Sequence, residues 1–154
     1  MRKLIAKIQY SLIIYKTKAF KYKLLMYRKN KHIDSYELQY ECRRNQQKNI
    51  AEEFFGVSKS SWTKISSNQA EYFNLTHGQI AFISQVNLTF IVQELCDGGH
   101  GALFVYPENN GTCAEDHLQD SFGFVLRQAH EDYGVNNSDW VELTKEQIEY
   151  YHTD

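Results

Sequence analysis

The sequence predicts an α+β fold: a single compact domain over residues 1–154, with several helices packed on a small, mainly antiparallel sheet. Three observations carry this expectation. Capping boxes and glycine stops mark helices. Tyr-rich segments alternate polar and apolar residues with the period of a half-buried strand. A chain of 154 residues, 42% apolar and 23% charged, has the balance of one that buries a core unaided by disulfides or metal.

The elements follow in order. Ile5, Ile8, Leu12, Tyr15, Ala19, Tyr22 and Met26 recur at steps of three and four. That spacing predicts an amphipathic helix over the first dozen residues, or one long basic helix to about residue 28. Phe20, Tyr22 and Leu24 alternate with Lys21 and Lys23, as Tyr36, Leu38, Tyr40 and Cys42 do with Glu37, Gln39 and Glu41. A β-hairpin turning at Arg28-Lys29-Asn30-Lys31 accounts for both. Asn45 to Phe55 reads as a helix stopped by Gly56, and Ser58 to Ser67 as a loop around Trp62. Thr76-x-x-Gln79 is a capping box before an apolar stretch, so residues 80–95 are expected as helix, with a hairpin as the alternative. Ala102 to Tyr106, ended by Pro107, is a buried strand. Thr112-Cys113-Ala114-Glu115 opens a helix with an apolar face of Leu118, Phe122, Val125, Leu126 and Ala129, closed by Gly134. Trp140 to Leu143 is a last strand, and Thr144-x-x-Gln147 caps a terminal helix. No internal repeat or low-complexity linker is evident.

The net charge of −2 conceals a division. The basic N-terminal part, residues 1–48, holds 13 Lys or Arg against three acids; the body, residues 49–154, holds four against 16. Such segregation fits internal neutralisation, or a surface built for a partner of opposite charge. Lys7 and Gln9 interrupt the first apolar stretch and no small-x-small site follows, so a cytoplasmic location is expected. Three cysteines agree with a reducing compartment. No charge-free stretch is long enough for a transmembrane segment. Lys, Asn, Ile, Tyr and Phe make up 53 residues, the bias of an AT-rich genome such as those of phages and mobile elements.

Four sets of residues carry candidate chemistry. Cys96, His100, Cys113 and His117 supply the two thiolates and two imidazoles of a closed zinc site. Cys113, placed in the first turn of the expected helix, has the position of an activated thiolate with His100 or His130 as its base. Residues 75–95 faintly resemble a helix-turn-helix, with Ala81, Val86 and Ile91 at its buried positions, but Gln85 stands at the turn glycine, Ser84 and Glu94 at apolar positions, and the second helix lacks Lys and Arg. Lys16, Lys18, Lys21, Lys23, Arg28 and Lys29, interleaved with Tyr15, Phe20, Tyr22 and Tyr27, could neutralise phosphates and stack on bases. Glu115, Asp116 and Asp120 would offer an acidic face to a basic protein.

The expected function is therefore a non-catalytic, protein-binding inhibitor or regulator, such as a phage or mobile-element antagonist of a host protein. No catalytic residue and no cofactor is assigned. A nucleic-acid-binding regulator using the basic third is the alternative, and a small cysteine- or zinc-dependent enzyme the next.

Overall fold

A computed structural model of the chain describes residues 2–35, 38, 40–76, 81–95, 99–108, 113 and 115–151. In order these form β1 (Lys3–Lys18), β2 (Lys21–Arg28), β3 (Lys31–Ile33), α1 (Arg44–Phe55), β4 (Thr63–Lys64) and α2 (Ser67–Tyr72). There follow β5 (Ala81–Glu94), β6 (Gly101–Pro107), β7 (Glu115–Gln119), α3 (Phe122–Tyr133), β8 (Val141–Glu142) and α4 (Lys145–Tyr151). The class is α+β, but the sheet is the larger part. Its hydrogen-bonded order is β3-β2-β1-β5-β6-β7, with β4 added to β5 and β8 to β1.

Two expected helices are strands. The first is β1, where Tyr10 to Ile14 are all buried and successive side chains point to opposite faces. A strand covered on both faces loses its period of two, and a three-four stripe can be picked out of it. The same holds for β5, buried without a break from Leu88 to Val92, which removes the helix-turn-helix. The expected turn at Arg28–Lys31 is correct, but the strand that follows it and pairs with β2 is the short β3, Lys31–Ile33. Tyr36, Glu37 and Gln39 lie outside the described residues. Of the rest of the 36–42 stretch, Cys42 makes a single bridge to Tyr22.

The helix expected from Thr112 is also corrected. Glu115–Gln119 is a strand, and α3 begins after Ser121, whose Oγ accepts from Phe124 N at 3.2 Å. Eight residues, among them the five of β7 at alternating burial, separate Cys113 from the helix it was expected to start. The later signals hold. Gly56 and Gly134 end α1 and α3 in the left-handed region, at φ 68° and 65°. Thr144 Oγ1 accepts from Gln147 N while Gln147 Oε1 accepts from Thr144 N.

The chain divides into two compact units: Gln9–Val86, and Met1–Ile8 with Asn87–Asp154. The first holds 12 Lys or Arg against six Asp or Glu, the second five against 13, so they are called the basic and the acidic unit. Within the basic unit the strand order is β3-β2-β1-β5-β4; within the acidic unit it is β7-β6-β5-β1-β8. Each uses half of β1 and half of β5. In the basic unit Ser11 Oγ donates to Gln85 Oε1 at 3.1 Å; in the acidic unit Glu94 N donates to Arg2 O at 2.9 Å.

These parallel orders expose a repeat that the sequence hides. Ile5, Ile13, Ala51, Gly56, Val57 and Trp62 recur 78 residues later as Ile83, Ile91, Ala129, Gly134, Val135 and Trp140. Ile5–Ile14 and Ile83–Val92 agree in burial at every position except Gln9 and Asn87. Pairings repeat as well: Thr63 opposes Ile83, and Val141 opposes Ile5. Both tryptophans follow a 3₁₀ turn, Lys59–Ser61 or Asn137–Asp139, and bury an indole N–H that has no hydrogen-bond partner among the described residues.

In the basic unit Ile13, Tyr27, Phe73, Ala81 and Ile83 form one core cluster, while α1 buries Gln47, Ala51 and Phe55. In the acidic unit Ile5, Ile91 and Tyr106 pack with Phe104, Leu143 and Tyr151, while α3 buries Phe122, Val125, Ala129 and Tyr133. The seating of α3 depends on Gly101. A Cβ there would stand 2.8 Å from Val125 Cγ2 and 2.9 Å from Ser121 O, so helix and strand touch without an intervening side chain. Gly101→Ala is expected to cost roughly 1–3 kcal/mol by overpacking. A denaturant titration measures it, and an unchanged midpoint would mean that α3 shifts freely on β6.

Candidate functional site

In the basic unit a tight turn joins β1 to β2 through Ala19 and Phe20. After a bulge in β1, Lys18 and Lys21 stand directly opposite each other. Phe20 has φ 61° and a ring 74% exposed. Beyond the turn, Tyr22 N donates to Cys42 O at 2.8 Å and Cys42 N to Tyr22 O at 3.1 Å. That bridge brings the start of α1 alongside the hairpin. Arg43 lies over the Phe20 ring at 5.9 Å, and Arg44 and Lys48 lie over Phe82 at 5.1 and 5.8 Å. Buried Gln47 fixes the arrangement: its Nε2 donates to Tyr22 O at 2.8 Å and Tyr40 O at 2.9 Å. The Tyr40 ring remains 67% exposed.

The residues expected as a nucleic-acid face are dispersed by the strand geometry. Lys18 and Lys21 are exposed at the tip, and Lys16 is half-buried opposite Tyr22. Lys23 Nζ lies 3.9 Å from Glu41. Tyr27 is in the core cluster, where burial raises its phenol pKa. Arg28 sits at the far end of β2, opposite Lys31. Sequence reasoning passed over Tyr40, Arg43, Arg44, Lys48 and Phe82. Its available signal was Phe20 itself, a bulky residue in a two-residue turn where the other repeat reads Asp97-Gly98-Gly99.

In the acidic unit a second cluster spans β7 and α3. The Cys113 thiol donates to Glu115 O at 2.7 Å. Desolvation is the main cause raising its pKa, and Asp116 and Glu115 add to it. Cys113 therefore lacks the helix N-terminus that was expected to favour its thiolate. The Glu115 carboxylate faces inward, accepting from the Tyr133 hydroxyl, with His117 Nε2 at 3.6 Å. Of the expected zinc ligands, Cys96 lies outside the described residues. Among the described residues no three His, Cys, Asp or Glu side chains are grouped to hold a metal ion.

The expected acidic face is divided as well. Glu115 belongs to the inward cluster, whereas Asp116 and Asp120 are exposed. Between them Leu118 is 68% exposed. Strand β7 pairs with β6, and no strand pairs with its other edge among the described residues. Among the described residues no helix is long and apolar enough to cross a membrane. The chain matches no protein-family model, no curated protein and no solved structure.

Asp132, near the C-terminal end of α3, has its pKa raised above 3.8, first by burial; Glu131 and Glu115 also raise it, while the Gln128 hydrogen bond and His117 lower it. A carboxyl that holds its proton more tightly when folded leaves the neutral-pH protein with a strained charge. Asp132→Asn should therefore raise the melting midpoint at pH 7. The gain should shrink as pH falls through the folded pKa and vanish below the unfolded one. Equal midpoints for parent and variant at pH 7 would show that burial of Asp132 is fully compensated.

Proposed function

We propose that the protein is a non-catalytic binder that inhibits or regulates a protein partner docked on the outer edge of β7. The observation that carries this reading is Leu118, an exposed apolar side chain between Asp116 and Asp120 on a strand paired along one edge. An edge strand presents backbone donors and acceptors that a second extended segment can pair with. Leu118 supplies an apolar anchor, and the two carboxylates favour a basic segment and speed its approach. Asp116 lies opposite Phe104 and Leu118 opposite Ala102 in the β6 register. Ala102 is buried and Phe104 packs against Ile5, Ile91 and Tyr106, which supports a preorganised edge.

The test is capture of a partner from a nuclease-treated lysate, followed by affinity measurement on the isolated pair. Leu118→Arg should weaken binding about tenfold or more. Asp116→Lys with Asp120→Lys should chiefly slow association. Both variants change exposed side chains, so their melting midpoints should stay near that of the parent. Binding unaffected by either change would refute the edge as the docking surface.

A further inference from the structure

We propose that the β1–β2 hairpin tip of the basic unit is a binding site for single-stranded nucleic acid, with Phe20 as the stacking ring and Lys18, Lys21 and Arg43 as phosphate contacts. This site is separate from the β7 edge and does not rest on it.

Three features of the tip oppose folding at one place. A non-glycine residue at φ 61° is strained, and a bulky one more so. Like charges directly opposite on paired strands, here Lys18 and Lys21, repel. An aromatic ring 74% exposed forgoes burial. The corresponding stretch of the other repeat, Asp97-Gly98-Gly99, has residues suited to a turn and no cation. Glycine takes a positive φ without strain, so the turn alone does not call for phenylalanine, and the Phe20 tip answers to something outside the chain.

The chemistry of the tip defines that ligand. An exposed ring flanked by ammonium and guanidinium groups suits a polyanion that carries flat apolar faces, which is a nucleobase on a phosphodiester chain. A duplex hides those faces, so the strand must be single. Tyr40 offers a second exposed ring, and Arg44 and Lys48 continue the cations along α1. That spread follows an extended backbone. A bilayer would engage Phe20 and its flanking cations alone and leave Tyr40, Arg44 and Lys48 without a role.

Fluorescence anisotropy with a labelled oligouridine about 12 nucleotides long, and its oligothymidine counterpart, tests the proposal. Binding should weaken with salt by about −0.7 in log–log slope for each phosphate contact. Phe20→Gly should lower affinity about tenfold while the melting midpoint holds or rises, because glycine accepts the turn. Phe20→Trp should retain binding, and this variant decides the matter if Phe20→Gly proves unstable. Lys18→Gln, Lys21→Gln and Arg43→Gln together should flatten the salt slope. Leu118→Arg should leave oligonucleotide affinity unchanged, which separates this site from the β7 edge. The proposal is overturned by absence of binding at physiological salt, by indifference to both Phe20→Gly and the triple change, or by binding to phosphatidylserine vesicles without binding to either oligonucleotide.

Discussion

Each unit completes its sheet with half of a strand that begins or ends in the other. Strand β1 leaves the acidic unit after Ile8, and β5 leaves the basic unit after Val86. Tyr10, Leu12, Ile13 and Ile14 on β1, and Leu88, Phe90, Ile91 and Val92 on β5, are all fully enclosed. Burial of each such side chain is worth about 1.5–3 kcal/mol, and net stability is itself only about 5–15 kcal/mol. In the basic unit β1 and β2 position the hairpin tip and the start of α1; in the acidic unit β6 positions the β7 edge and α3.

What could be read from the sequence was local. Gly56 and Gly134 close helices because a left-handed residue ends the ladder of backbone bonds wherever it stands. The Thr144 box, the Arg28–Lys31 turn and the strand before Pro107 are decided within a few residues. Strands β1 and β5 were not legible, because burial on both faces erases the alternation that identifies a strand. The box at Thr112 misled because Ser121 is the residue that caps α3. The repeat was masked by drift at the surface, where Lys16 and Lys64 in one copy correspond to Glu94 and Glu142 in the other. For the sites, charge could be counted but not placed. Tyr27 and Lys18 look alike as members of a basic aromatic stretch, until strand pairing puts one in the core and the other at a tip.

Gln47 and Val125 occupy the same position in the two copies of one helix. Val125 meets β6 through the gap left by Gly101. Gln47 is equally enclosed but spends its amide on the carbonyls of Tyr22 and Tyr40, a pairing that offsets the cost of burying it. The first contact fastens a helix to a sheet. The second fastens a loop to both, and thereby sets where Arg43 and the Tyr40 ring face solvent.

The duplication frees the surface from a restriction that symmetry imposes. In a pair of identical chains every substitution is made twice, so a lysine gained at one place is gained at its mate. With both copies on one polypeptide, each codon changes by itself. Lys64 and Glu142 hold equivalent places in equivalent strands and carry opposite charge. A single gene can thus present a cationic and an anionic version of one scaffold in fixed one-to-one proportion, an option closed to any homodimer.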